Sequence, residues 1–107
     1  MSLLRQLGLF NREGMKACND GKMANALFQL VQADRLAKEM GSVLHEAKVR
    51  NNMGLVHQVS GKTEEALACF ELAAHRAVEG AGVGNSLHKA IVRNMTKLTS
   101  SNLAGAA

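Results

Sequence analysis

The apolar residues of this chain recur with the period of an α-helix. Over 63–80 the residues Ala66, Phe70, Ala73 and Ala74 fall at the i, i+4, i+7 and i+8 positions of one helical face. No stretch alternates strictly enough between apolar and polar residues to favour a β-strand. Proline is absent, and the densest apolar stretches are rich in good helix formers. The pattern therefore predicts an all-α chain.

The ends of the predicted helices carry recognisable signals. Residues 42–60 form one helical stretch, and Gly61 follows its last periodic residue, where a helix commonly stops. Thr63 opens the next helix, with Glu64 and Glu65 in the first turn, where the helix dipole favours negative charge. This order predicts two helices joined by a tight turn.

The same hairpin pattern occurs twice, at a spacing of 40 residues. The repeated positions are mostly small residues, namely Asn11/Asn51, Gly14/Gly54, Gly21/Gly61, Ala26/Ala66 and Ala33/Ala73. A glycine inside a helix costs about 1 kcal/mol relative to alanine, so two equivalent ones suggest a shared cause. We expect Gly14 and Gly54 to lie where a second helix passes closely, opposite Ala26 and Ala66. A functional role for the glycines is the alternative.

A third unit begins after the second and is incomplete. LHKAIVRNMTKL at 87–98 echoes LHEAKVRNNMGL at 44–55, at a spacing that shifts from 43 to 42. The spacing of 42 is preferred because it places Val92, Met95 and Thr96 on the packing face. The predicted organisation is a single domain with the following parts: a first repeat over about 3–40, a second over about 41–80, a closing helix over about 84–100 and a frayed tail over 101–107.

The repeated residues resemble the tetratricopeptide repeat, whose signature sets a large residue, Leu-Gly, Tyr, Ala, Phe and Ala at fixed offsets. The second unit has at these offsets Arg50, Met53, Gly54, His57, Ala66, Phe70 and Ala73, and the first has Phe10, Glu13, Gly14, Ala17, Ala26, Leu30 and Ala33. The small residues match, whereas Arg50 stands in place of an aromatic residue and the terminal Pro is missing. The unit exceeds the usual 34 residues by about one turn per helix, as in the long-helix variety of the family.

The resemblance implies antiparallel helical hairpins stacked as a right-handed α-solenoid of about 2.5 repeats, which is five helices. It also implies a non-catalytic protein–protein interaction module, in which the first helix of each hairpin lines a concave groove. The net charge of +4 is distributed accordingly. Residues 1–22, 41–60 and 81–107 carry +2, +1 and +3, whereas 23–40 and 61–80 carry 0 and −2. We therefore expect a basic groove.

The groove positions of the family lie just before and after the Leu-Gly pair. The residues at or one turn from those positions are Asn11, Arg12, Lys48, Asn51, Asn52, Arg93, Asn94 and Lys97. Amide side chains can donate to and accept from an extended peptide backbone, and Arg grips a carboxylate through two hydrogen bonds. The expected ligand is an acidic peptide or one with a free C-terminal carboxylate. An ordinary solvated polar surface is the alternative reading of each residue.

No enzyme, metal or cofactor is expected. The chain has no nucleophile with a base beside it and no phosphate-binding loop. His45 and His88 are repeat equivalents, but two histidines without an acid or thiol partner make a weak metal site. The opening MSLLRQLGLF lacks a cleavage pattern, the apolar runs are too short for a membrane, and the two cysteines have no motif spacing. We expect a cytoplasmic protein.

Two other functions remain open. A self-assembling, homo-oligomeric scaffold would use apolar residues at the ends of the stack, namely Leu3, Leu4, Leu7 and Leu9, or Ile91, Leu98 and Leu103. Nucleic-acid binding has weaker support, because no cluster of Lys and Arg is present and no aromatic residues lie among the basic ones.

Overall fold

The computed structural model describes the backbone of residues 2–106 and the side chains of residues 2–100. This part of the chain contains five α-helices and no strand, which confirms the all-α prediction and the number of helices. They are α1 Leu3–Asn19, α2 Met23–Glu39, α3 Val43–Val59, α4 Thr63–Ala81 and α5 Ser86–Ala106. The backbone of the predicted tail is helical to Ala106. Its side chains lie outside the described part, so fraying stays a prediction.

Three turns of the same construction join the first four helices. At the end of α2 the N–H of Gly41 donates to the carbonyl of Lys38, and the N–H of Ser42 donates to that of Ala37, both at 3.0 Å. This is the Schellman arrangement, and it needs the left-handed backbone of Gly41, whose φ is 66°. Gly21 and Gly61 end α1 and α3 in the same way. Each of the first three helices, with the turn that follows it, therefore takes 20 residues, half of the repeat.

The helices form two layers. Each helix packs against the next one in the chain, and α3 also contacts both α1 and α5. Among the described residues α2 and α4 do not contact each other. The odd helices therefore lie side by side in one layer, with α2 and α4 each seated between two of them. The Cα extent of 17 Å in the thinnest direction fits two layers of helices about 8–10 Å apart.

The repeat spacing of 40 reappears in the core. On α2 and α4 the fully buried residues occupy the same four positions, namely Ala26, Leu30, Ala33 and Ala37, and Ala66, Phe70, Ala73 and Ala77. Small alanines let the helices approach closely, and one large residue per unit fills the space between them. No described helix has an apolar stretch of the length and hydropathy that crossing a membrane requires.

Gly14 and Gly54 are buried, and the reason is steric, as expected. A Cβ added at Gly54 would come within 2.5 Å of the Phe70 ring, and one at Gly14 within 2.8 Å of Leu30. The facing residue differs from the prediction. The side chains nearest the glycines are Leu30 and Phe70, one turn beyond the expected alanines, although the carbonyl of Ala26 is also 3.2 Å away at Gly14.

Candidate functional site

Four of the predicted groove residues meet in two pairs. Nδ2 of Asn52 on α3 donates to Oδ1 of Asn11 on α1 at 2.7 Å. Nδ2 of Asn94 on α5 donates to Oδ1 of Asn51 on α3 at 2.9 Å. All four side chains are half-buried, so each pair ties one odd helix to its neighbour. Each pair still leaves one amide nitrogen and one amide oxygen without a partner among the described residues.

The two pairs also define the register of α5. Asn11 and Asn51 are equivalent positions, 40 residues apart. Asn52 is bonded to Asn11 and Asn94 to Asn51, so Asn52 and Asn94 are also equivalent, and they lie 42 residues apart. This is the spacing that the sequence favours, but of the residues that it places on the packing face Val92 and Thr96 are exposed and only Met95 is partly buried. The residue of α5 equivalent to Gly54 is therefore Thr96.

The four predicted basic residues are exposed. Arg12 lies on α1, Lys48 on α3, and Arg93 and Lys97 on α5. None of them forms an ion pair with a residue of the described part, where every ion pair involves Asp34, Glu46 or Glu79. Their charges are therefore available to an anionic ligand.

Four of the eight predicted groove residues line three separate surface depressions. Asn11 and Arg12 border one along α1, together with the apolar residues Leu4 and Leu9. Lys48 borders one between the start of α3, the end of α4 and the start of α5. Arg93 belongs to a third, beside the start of α5. The asparagine pairs lie on the odd helices that carry these depressions.

A buried carboxylate, which the sequence interpretation missed, ties α2 to α3. Oδ2 of Asp34, a residue only 6% exposed, accepts hydrogen bonds from Arg50 at 3.0 Å and Lys38 at 2.9 Å. Oδ1 of Asp34 is buried and has no hydrogen-bond partner in the described part. A signal was present, because Asp34 lies on the apolar face of α2 beside Ala33 and Ala37, and a buried acid requires a cation opposite. That cation is Arg50 on α3.

Cys69 on α4 lies beside the same guanidinium. Burial raises the pKa of the Cys69 thiol above its ordinary value of 9.0, and the nearby charge and hydrogen bond of Arg50 offset part of that rise. The thiol is therefore not activated as a nucleophile, because activation requires a lowered pKa. Cys18, the other free thiol, is buried in α1.

His45 and His88 each take part in the hydrogen bonds that cap the N-terminus of their own helix. The N–H of His45 donates to Oγ of Ser42, whose hydroxyl also lies 2.6 Å from the His45 ring. The N–H of His88 donates to Oδ1 of Asn85 at 2.9 Å, and the ring accepts from the N–H of Gly84 at 3.2 Å. These contacts are helix caps. Within the described residues no three His, Cys, Asp or Glu side chains are grouped as metal ligands.

The apolar residues proposed for self-assembly divide into two groups. Leu7, Ile91 and Leu98 are buried, at 3%, 0% and 5% exposure, so the prediction that they form an open flank is wrong. They point into the core because Leu7 lies on the side of α1 that faces α2, and Ile91 and Leu98 lie on the side of α5 that faces α4. Leu3, Leu4 and Leu9 are exposed on α1. The side chain of Leu103 lies outside the described part.

Comparison of the chain with models of protein families, with curated proteins and with solved structures finds no match.

Proposed function

We propose that this protein is a non-catalytic protein-interaction module, a tetratricopeptide-like, right-handed solenoid of about 2.5 repeats whose odd helices bind a peptide segment. The ligand is an acidic segment or one that ends in a free carboxylate. The observation that carries the proposal is the odd-helix layer, in which α1, α3 and α5 hold two asparagine pairs and four exposed basic residues without ion pairs in the described part.

The fold supports the solenoid part of the proposal. The buried positions of α2 and α4 repeat at 40 residues, the turns have one construction, and the odd helices lie in one layer. A stack of such units leaves one layer on the inner side, where an extended segment can contact several helices at once.

The asparagine pairs support the peptide part. The free Nδ2 of Asn11 can donate to a peptide carbonyl, and the free Oδ1 of Asn52 can accept from a peptide N–H. Arg12 follows Asn11 directly, and Lys48 precedes Asn52 by one helical turn. A backbone held at the amides thus brings its carboxylates near two cations.

The test is a binding titration of the full chain with fluorescent peptides. The peptides contain either acidic residues or the corresponding amides, and each is made with a free and with an amidated C-terminus. We expect the Arg12→Glu, Lys48→Glu double variant to bind acidic peptides at least about tenfold more weakly, since each lost charge-assisted contact contributes over about 1 kcal/mol. Arg35→Glu, an exposed reversal on α2 in the other layer, is the matched control and should leave binding unchanged. Equal binding by all three proteins would exclude the groove.

Self-assembly is a second candidate, because Leu3, Leu4 and Leu9 are 38%, 52% and 39% exposed on α1. Exposed leucines close together in one helix can pair between two copies of the chain. Sedimentation at increasing concentration decides this, with Leu4→Glu expected to abolish any dimer and Val59→Glu, at another exposed apolar residue, expected to leave it intact.

A further inference from the structure

One face of α3 is covered by α4. Ala47 belongs to the same buried cluster as Ala77 of α4, and Gly54 lies against the ring of Phe70. Arg50, which lies between them on α3, is half-buried. The face is therefore built to receive a second helix.

The equivalent face of α5 is uncovered. At the register of 42 residues defined by the asparagine pairs, the equivalents of the three α3 residues are Lys89, Val92 and Thr96. All three are exposed, and Val92 is 41% exposed. The Thr96 hydroxyl donates to the carbonyl of Val92 at 3.0 Å, so its hydrogen-bonding need is met within α5. In the described part of the chain no helix lies on this face.

This face contains a depression with an apolar floor and basic edges. Its volume is about 440 Å³, and it is lined by Val83, Gly84, His88, Lys89, Val92 and Arg93. Val83 is 82% exposed, the highest value among the large hydrophobic residues of the described part. An exposed apolar surface bordered by charged groups is typical of a binding surface.

The charge of this face defines the chemistry of its occupant. Lys89, Arg93 and Lys97 follow one another at four-residue intervals, and residues 80–107 contain no acidic residue. On α3, Glu46 pairs with Arg76 of α4 at 3.3 Å. His88 is the equivalent of Glu46 at the register of 42, so α5 offers no carboxylate there. A helix on α5 therefore meets no acid where α4 meets Glu46, and it lies beside Lys89 and Arg93.

We infer that α5 is a docking site for an amphipathic, acidic helix of another protein, which packs on Val92 and Thr96 as α4 packs on α3. The occupant has carboxylates along the edge that faces Lys89 and Arg93. It has a small residue opposite Thr96, because Thr96 fills the space that Gly54 leaves to Phe70. A second copy of α5 does not fit this description, since like charges on both helices would repel. The site shares Arg93 with the residues proposed for peptide binding. Its apolar floor is not part of that surface, and it does not depend on Arg12 or Lys48.

The α4 segment provides the probe. A labelled peptide of residues 63–81 with Cys69→Ser, Phe70→Ala and Arg76→Glu is acidic, amphipathic and small at the contact position. Its matched control replaces every Glu of that peptide by Gln. Fluorescence anisotropy with the full chain should show saturable binding of the acidic peptide that is at least about fivefold tighter than that of the control, because each exposed ion pair contributes up to about 1 kcal/mol.

Protein variants locate the site. Val92→Asp should weaken binding of the acidic peptide at least about tenfold, since it sets a carboxylate in the apolar floor, and Lys89→Glu should weaken it about fivefold. Val59→Asp, at an exposed valine on α3, should leave binding unchanged. Circular dichroism should show equal helix content in all variants, because the substituted residues are exposed.

Three results would overturn the docking site: no binding at about millimolar peptide, equal binding of the Glu and Gln peptides, or equal binding by the Val92→Asp variant. If the wild-type protein forms a dimer and Val92→Asp dissociates it, the face binds a second copy of the chain instead. The Arg12→Glu, Lys48→Glu variant separates the two proposals, because it should lose acidic extended peptides and keep the helical probe. Its behaviour therefore shows which proposal has failed.

Discussion

The carboxylate of Asp34 on α2 meets the guanidinium of Arg50 on α3 at 3.0 Å, across the boundary between the two 40-residue units. The Asp34 side chain is 9% exposed and that of Arg50 is 24% exposed. An ion pair with one partner buried and the other largely buried contributes little net stability, because desolvation offsets the attraction. Removing one partner has a large effect, since it leaves the other charge without compensation.

Replacing Arg50 by Leu should destabilise the fold by about 3 kcal/mol, and Asp34→Ala by about 2 kcal/mol. In Asp34→Ala the unpaired Arg50 is near enough to the surface to be hydrated. In Arg50→Leu the buried Asp34 carboxylate retains only Lys38 as a partner, so the cost is larger. Urea denaturation followed by circular dichroism measures both values. Lys38→Ala, at a side chain 55% exposed, is the control and should cost less than about 1 kcal/mol. A loss in Arg50→Leu no larger than in this control would show that the pair is not effectively buried.

Gly54→Ala should destabilise the protein by about 1–2 kcal/mol despite the better helix propensity of alanine. The new Cβ would lie 2.5 Å from the Phe70 ring, which is itself fully buried, so one of the two groups must shift. Overpacking of this kind costs about 1–3 kcal/mol, more than the roughly 1 kcal/mol gained from propensity. Thermal and urea unfolding measure the difference.

Gly8→Ala is the matched control for that prediction. Gly8 also lies inside a helix, but a Cβ there has no atom within 4 Å. The substitution should therefore stabilise the protein by up to about 1 kcal/mol. If Gly8 and Gly54 respond with the same sign, close packing is not the reason for the glycine at position 54.

The sequence predicted the helices well because their ends are local. A glycine in the left-handed conformation, as at Gly41, ends a helix through bonds from its own N–H and the next one to carbonyls three and four residues before it, so no distant contact is needed. The small residues were informative for a similar reason. A glycine inside a helix is costly, and its repetition at Gly14 and Gly54 indicated a close neighbour.

The contacts between helices were not predictable to the same degree. Whether Asn52 meets Asn11, or Ile91 faces the core, depends on how far each helix is rotated and shifted against the next. A rotation by one residue, about 100°, moves a side chain from the surface to the interior. Leu7 shows the effect: the sequence places it with Leu4 and Leu9 on an open flank, but Leu7 is buried and the other two are exposed.

Alkylation of Cys69 by iodoacetamide should show a midpoint above pH 9.0 in the folded protein, because burial raises the pKa of this thiol. Unfolding returns the thiol to a lower pKa, so thiolate formation favours the unfolded state. The contribution of Cys69 to stability is therefore complete below the unfolded pKa and decreases as the pH rises through the folded one. Peptide mass spectrometry follows Cys69 separately from Cys18, and the same protein in urea is the control. A folded midpoint at or below that of the urea-unfolded protein would contradict the prediction.

Asn51 and Asn94 should show a coupling free energy of about 0.5–1.5 kcal/mol in a double-mutant cycle of unfolding, the range for a partly buried hydrogen bond between neutral groups. The cycle uses Asn51→Ala, Asn94→Ala and the double variant, so the change in helix propensity at each position cancels. Asn11 with Asn94 is the control pair, since these residues belong to different hydrogen bonds, and it should couple by less than about 0.5 kcal/mol. Equal coupling in both cycles would contradict the pairing. It would also contradict the register of 42 residues between α3 and α5. The exposed face of α5 would then no longer be equivalent to the face of α3 that α4 covers.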